Sequence, residues 1–207
     1  MGKVWGIEAV VRGVTQTAVG AAMVDIIGFA AIKDGKAAIS YERYDDAPDR
    51  VFLGMKSFAI VGESWEDLEA YVMMYEPPYI NVSVVLEPSL VKGIQSWAYI
   101  GQEPIHGKLV PNGIILVDYD GPIENLAKII PPANKPYKLA VVNASGIDKL
   151  VTAPLAGALA KVAPEIASKE ALLNMIKERY KAVAEEKAKS FEKGYEAVKV
   201  MEVKPSV

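Results

Sequence analysis

At 207 residues, with a formal charge of −3 and a pI near 5.4, the chain is long enough for one α/β domain with its own core, and it has no dense Lys/Arg run ahead of its C-terminal segment. That balance excludes the electrostatic footprint of a nucleic-acid binder. The absence of cysteine excludes a disulfide, an iron–sulfur cluster and a Cys-type zinc site in this chain, so any redox metal belongs to a partner.

From the N-terminus, the β-rich run Val4 to Val11 is followed by a polar turn, Arg12-Gly13-Val14-Thr15-Gln16-Thr17. Apolar residues at Val19, Ala22, Met23, Ile26 and Ile27 then repeat at helical spacing. Thr15 or Thr17 is a suitable N-cap for that helix, because a hydroxyl oxygen can accept from the first unpaired amides. No basic segment, long apolar span or cleavage site opens the chain, so a cytoplasmic protein without a membrane anchor is expected.

Lys33-Asp34-Gly35-Lys36 reads as a turn, Ala37 to Tyr41 as a short strand, and Val51 to Ile60 as extended chain. Ser64 to Tyr75 begins like a capped helix and is expected to continue extended up to Glu76-Pro77-Pro78. Ile80 to Leu86 is a buried strand closed by Glu87-Pro88, with Ser89 starting a short helix. Residues 99 to 113 carry Gly101, Pro104, Gly107, Pro111 and Gly113 and read as a loop. Ile114 to Val117 and Lys138 to Val142 are strands, Ile123 to Ile130 a short helix ended by Pro131-Pro132, and Ala153 to Lys161 a close-packing helix of small residues. From Ser168 the apolar residues Leu172, Ile176, Tyr180, Val183, Phe191, Tyr195 and Val198 mark an amphipathic helix with a break expected at Gly194. The expected fold is therefore a single α/β domain over residues 1–201, with a mixed or mostly parallel sheet flanked by helices, a long C-terminal helical segment, and 202–207 as tail or linker.

Taken in order, these fragments resemble the γ subunit, or the equivalent domain, of pyruvate and related 2-oxoacid:ferredoxin oxidoreductases. The resemblance rests on the Arg12-Gly13 and Gln16 loop before a small-residue helix, Lys33-Asp34-Gly35-Lys36, Tyr41-Glu42-Arg43, Tyr75-Glu76-Pro77-Pro78, Leu86-Glu87-Pro88-Ser89-Leu90, Asn112 to Val117, Leu155-Ala156-Gly157-Ala158 and Phe191-Glu192-Lys193-Gly194-Tyr195. It implies a subunit that is inactive alone, encloses the coenzyme A approach to the active centre and organises assembly, in a complex whose thiamine diphosphate, magnesium and iron–sulfur clusters lie mainly with other chains. The implied partners are thiamine-binding α- and β-type subunits and a ferredoxin-like subunit or domain, with ferredoxin as acceptor. Hydrophobic residues at 51% against 24% charged, with a mean hydropathy of +0.16, suit such buried interfaces.

By the same resemblance the candidate ligand-facing residues are Arg12, Thr15, Gln16, Thr17 and Arg43. Family members carry Gly-Arg-Gly-Gly-Gln-Gly at the first loop, whereas this chain keeps Gln16 and has Thr15 and Thr17 at glycine positions. Replacing glycines removes the positive φ and the close backbone approach that a phosphate requires. The Glu-Arg-Arg-Gly-Ala-Pro patch becomes Glu42-Arg43-Tyr44-Asp45-Asp46-Ala47-Pro48, Thr152 stands where the family has Asn, and Pro78 where it has Asp. Use of coenzyme A is thereby open, and a coenzyme A-independent, oxalate-type member fits the same departures.

His106, the single histidine, has no nucleophile elbow near it and reads as structural. Asp45, Asp46 and Asp49 lack the alternation of a calcium loop and read as a solvated turn, and no Gly-x-Gly-x-x-Gly follows the first strand. Lys187, Lys189 and Lys193 read as the wet face of the C-terminal helix. Two readings of other classes stand beside the leading one: a freestanding nucleotide-binding α/β enzyme with phosphate on the 12–17 turn, and a purely architectural interaction protein.

Overall fold

The computed structural model describes residues 2–42, 54–71, 74–95 and 101–206, without the side chains of Val14 and Thr15. Arg43 and the Asp45, Asp46 and Asp49 turn lie outside the described residues.

The chain forms one α/β domain around a mixed seven-stranded sheet of order β2-β3-β1-β4-β7-β8-β9. Strand β1 (Val4–Arg12) runs parallel to β4 (Ile80–Val85), which is followed outward by β7 (Leu109–Asp118) and β8 (Tyr137–Val142), all parallel. On the other side β3 (Gly54–Gly62) pairs antiparallel with β1, and β2 (Ala37–Glu42) with β3. Antiparallel β9 (Lys199–Val203) closes the far edge against β8. Glu202 and Val203 thus belong to the sheet, and the boundary drawn at residue 202 falls inside a strand.

Alternate residues of each strand point to opposite faces. Ile7, Ala9, Val11, Val84 and Leu116 meet the buried side of α1 (Gly13–Lys33), together with α5 (Thr152–Val162), α6 (Lys169–Arg179) and α7 (Ala184–Ala197). Val10, Phe58, Val85, Ile115 and Leu139 form a second core on the opposite face, under α3 (Ile123–Ile129) and the excursion carrying β5 (Ile94–Gln95) and β6 (Gln102–Glu103). The stretch Gln16–Lys33 of α1 is by length and composition apolar enough to cross a membrane, and half of it is buried inside the fold. Met23, Ile26, Ile27, Ala30 and Ala31 are the buried part.

Several expectations change. No turn separates β1 from its helix: Gly13 takes φ 65° and α1 starts there. Thr15 and Thr17 lie inside the helix and do not cap it, and the Thr17 hydroxyl donates back to the Gly13 carbonyl at 2.9 Å. Ser64 does cap α2 (Trp65–Leu68), and the Tyr71 amide then donates back to the Leu68 carbonyl in a further turn. Strand β7 begins at Leu109. Pro111, Asn112 and Gly113 form an irregularity inside it, where the register against β4 shifts and Asn112 adopts φ 62°.

The C-terminal helical segment breaks at Tyr180 and a short 3₁₀ turn, 181–183. The Tyr180 hydroxyl is hydrogen-bonded to that of Thr152. Gly194 continues α7, for a steric reason: a Cβ there would lie 2.0 Å from the Pro154 carbonyl oxygen, and one on Gly157 would lie 1.9 Å from that of Phe191. Those two glycines let α5 and α7 cross almost backbone to backbone.

Candidate functional site

In an open α/β sheet, ligands enter at the carboxyl ends of parallel strands where the strand order reverses. Here the chain leaves β1 through α1 toward β2 and β3, then returns to β4 on the other side of β1. The carboxyl ends of β1, β4, β7 and β8 open onto a cleft of about 420 Å³ at that reversal. Gln16 and Val19 of α1 form one wall, Glu87 and Pro88 after β4 another, and Asp118, Asp120, Ser145 and Lys149 the remainder.

Each side chain is held by local backbone chemistry. The Arg12 amide donates to Gln16 Oε1 at 2.8 Å, so Gln16 reaches back over the first turn of its own helix. Glu87 accepts from the Ser89 amide and caps the 3₁₀ turn Pro88–Lys92. At the end of β7, Asp118 Oδ1 accepts from the amides of Ala144 and Ser145 at 2.8 and 3.2 Å and from the Ser145 hydroxyl at 3.4 Å. It thereby ties β7 to the short α4 (Ala144–Ile147), whose N-cap, Asn143, follows β8 directly. Asp118 is 8% exposed. Burial pushes its carboxyl above the ordinary value against the pull of those hydrogen bonds, and the charge of Asp120 adds to the rise.

Of the sequence-predicted residues, Gln16 lines the cleft, Arg12 stands exposed at the junction of β1 and α1, and Thr17 is turned to the helix backbone. For Thr15 only the backbone, inside α1, is described, and Arg43 falls outside the described residues. Asp118, Asp120, Ser145 and Lys149 were missed. The signal for them was an acidic residue directly behind a buried parallel strand, Val117-Asp118-Tyr119-Asp120, which gains meaning only once the strand order is known.

His106 is structural: its Nε2 is 3.1 Å from the Pro131 carbonyl oxygen and its ring stacks on Tyr137. Among the described residues no group of three or more His, Cys, Asp or Glu side chains is placed to hold a metal ion.

A buried ionic cluster that sequence reading also missed lies on the second face of the sheet. Lys56 Nζ stands 3.0 Å from Glu8 Oε2 and 3.2 Å from Glu103 Oε2, and the Ser83 hydroxyl donates to Glu8 Oε1 at 2.8 Å. Lys108 extends the chain of charges to Glu76. Burial alone would lower the Lys56 pKa, yet Glu8, then Glu103 and Glu76, outweigh it and hold the ammonium above its ordinary value. Beside this cluster the Tyr41 phenol is pushed up to about 12 by burial and by Glu76.

A parallel-centred sheet with helices on both faces and a cleft at the strand-order reversal defines an open-sheet α/β domain. No protein-family model matches the chain. The chain resembles, over 96% of its length and 98% of the other, the pyruvate oxidoreductase subunit PORC of Thermotoga maritima, with a TM-score of 0.71 and 23% identity. It resembles the γ subunit of a keto/oxoacid ferredoxin oxidoreductase from Geobacter sulfurreducens with a TM-score of 0.65 and 20% identity, covering 93% and 97% of the two chains. A 2-oxoglutarate:ferredoxin oxidoreductase from Magnetococcus marinus, solved with 2-oxoglutarate, coenzyme A and succinyl-CoA bound, matches with a TM-score of 0.59 and 14% identity over 95% of this chain and 31% of that one. The fold is that of the γ subunits of 2-oxoacid:ferredoxin oxidoreductases, as the sequence motifs led us to expect.

Proposed function

We propose that this chain is the γ-type subunit of a thiamine-diphosphate-dependent 2-oxoacid:ferredoxin oxidoreductase, contributing a wall of the reaction chamber and assembly surface while the reacting groups belong to other subunits. The observation that carries this reading is a fold match running over nearly the whole of both this chain and a pyruvate oxidoreductase subunit. Thiamine diphosphate with magnesium supplies carbanion stabilisation in such a complex, and iron–sulfur clusters on a ferredoxin-like subunit carry the electrons to ferredoxin. This chain offers neither a cysteine for a cluster nor, among the described residues, a ligand set for the magnesium.

Its surface supports the assembly role. Phe29 is 54% exposed and Ile32 stands beside it on α1, next to the apolar strand β2, whose outer edge pairs with no described strand. The opposite edge, β9, carries exposed Lys199 and Glu202, the usual protection of a strand that is meant to stay unpaired. We take the complex to be cytoplasmic and α1 to be a core helix.

The cleft favours a second reading within the same family, a coenzyme A-independent, oxalate-type enzyme. Among the described residues Glu87, Asp118 and Asp120 line it with Lys149 as the single cation, and those residues do not fit the phosphates of coenzyme A.

Purification of the chain from its native cells tests the proposal. The expected result is a brown complex containing a thiamine-binding subunit and a Cys-rich one. A chain that elutes alone and colourless in every native preparation overturns it, and micromolar binding of NAD, ATP or coenzyme A by the isolated chain favours the freestanding nucleotide-binding enzyme. In the complex, Arg12→Ala is expected to leave any KM for coenzyme A within about fivefold, since one exposed charge at a helix terminus is worth about 0.3 to 1 kcal/mol. A tenfold rise sinks the coenzyme A-independent reading.

A further inference from the structure

On the far side of Lys149 from the acidic cleft, the loop after α4 and the first half of α7 enclose a groove of about 520 Å³, lined by Asp148, Lys149, Glu186, Lys187, Lys189 and Lys193 among others. Its floor is a closed ionic unit. Lys187, 5% exposed, places Nζ 2.7 and 2.8 Å from the two carboxylate oxygens of Asp148 and 3.2 Å from Glu186. Asp148 also accepts from the Ser190 hydroxyl at 2.6 Å and the Leu150 amide at 2.9 Å. Burial works against the ionised carboxyl, yet the hydrogen bonds from Lys187 and Ser190 hold Asp148 below its ordinary value. Asp148 is thus engaged by Lys187, and with the exposed Glu186 counted the groove still holds, among the described residues, four lysines against two acids.

Exposed Lys149, Lys189 and Lys193 form that rim, and none of them makes an ion pair or a side-chain hydrogen bond among the described residues. Three other lysines of the same helical layer do find acids: Lys33 with Glu178, Lys169 with Glu192 and Lys177 with Glu185, at 2.8, 2.7 and 3.4 Å. Lys189 and Lys193 stand four apart on α7, a like-charge pair that costs the helix stability unless an anion faces it. The result is a concave cationic patch on a chain whose net charge is −3.

We propose that this groove docks an acidic, extended segment of a partner chain, with carboxylates at alternate positions meeting Lys189 and Lys193 and a third meeting Lys149. The spacing supports an extended segment: four residues of helix rise about 6 Å, and alternate side chains of a strand lie about 6.7 Å apart. The inference rests on the subunit reading for the existence of a partner, but the chemistry of the groove is tested without one.

The test titrates the full chain, followed by backbone amide shifts, with a blocked peptide of four Asp-Val repeats, the same peptide with Asn for Asp, and inorganic phosphate. Saturable shifts are expected at residues 147–150 and 186–193 with the Asp peptide alone. Affinity should fall about tenfold in K189E/K193E, and again when salt rises from about 0.05 to about 0.3 M. No saturable shift, equal binding of the Asn peptide, or unchanged affinity in the double variant overturns the proposal. Phosphate binding as tightly as the peptide overturns it too, by making the groove a small-anion site. K189E/K193E exchanges one like-charge pair for another, so K189Q/K193Q, which removes the repulsion and should fold, is titrated beside it and should lose affinity in the same direction; circular dichroism spectra check that both variants fold. In native preparations, loss of the variant from a complex that retains the wild-type chain supports the docking role. A wild-type chain that always elutes alone removes the subunit reading and leaves the peptide titration to decide the groove.

Discussion

On the helical face of the sheet, α5 and α7 cross through Gly157 and Gly194, and the strand residues beneath, Ile7, Ala9, Val84 and Leu116, are wholly apolar. On the opposite face Glu8 and Lys56, 2% and 4% exposed, lie in the middle of the sheet and are covered by the excursion that brings in Glu103. One side is secured by steric fit between backbones, which no other side chain can imitate. The other is secured by pairing, which fails through a single uncompensated charge. A strand such as β1 serves both at once because its side chains alternate, so Glu8 stands between Ile7 and Ala9 without disturbing the layer they face.

The largest expected effect breaks the ionic side. Lys56→Met leaves Glu8 buried with only the Ser83 hydroxyl and should cost about 3–5 kcal/mol in denaturant unfolding. Adding Glu8→Gln should restore more than half of that loss, because the penalty is the stranded charge. A double variant no better than the single one shows that packing, and not pairing, holds this face. Next comes the steric side: Gly157→Ala and Gly194→Ala each force α5 and α7 apart and should cost about 1–3 kcal/mol. Because both act on one crossing, their combined effect should fall short of the sum. Full additivity would mean that the two contacts relax independently.

The two faces also differ in how much of them the sequence disclosed. Elements governed by local periodicity were legible: α1 from Val19 to Ile27, the buried strand from Ile80, the small-residue helix around Gly157. What depended on distant residues was not. Gly194 reads locally as a helix breaker, and only Pro154, forty residues earlier, explains why α7 keeps it. Pro111 and Gly113 read as loop, although β4 and β8 hold them in a strand. Glu8 inside an apolar run was the visible mark of a buried partner, but neither Lys56 nor Glu103 could be chosen without the register of β1 and β3. Of the candidate site, Gln16 was legible from the resemblance of the 12–17 segment to the family's loop, although that segment proved to be the first turn of α1. Asp118 and Asp120 were not, because the carboxyl edge of a parallel sheet is a property of strand order.

Asp118 gives the smallest effect and the finest test of the contrast. It continues the alternation of Ile114 and Leu116 and so belongs to the helical side, at the rim of the cleft. Only N–H and O–H donors reach it, and no ion pair does among the described residues. Its folded pKa lies above the ordinary value because burial disfavours the charge. Whatever this group adds to stability is therefore fully present below the ordinary carboxylate pKa and is lost as pH rises through the raised folded value. Asp118→Asn keeps an oxygen for the Ala144 and Ser145 amides and cannot ionise, so the variant should match the wild type at about pH 4 and exceed it toward neutrality. Denaturation midpoints at the two pH values measure this directly. A variant that is less stable at neutral pH would mean that the carboxylate charge is paired after all, and that the strands of the helical face, like Glu8 on the other, carry a paired charge.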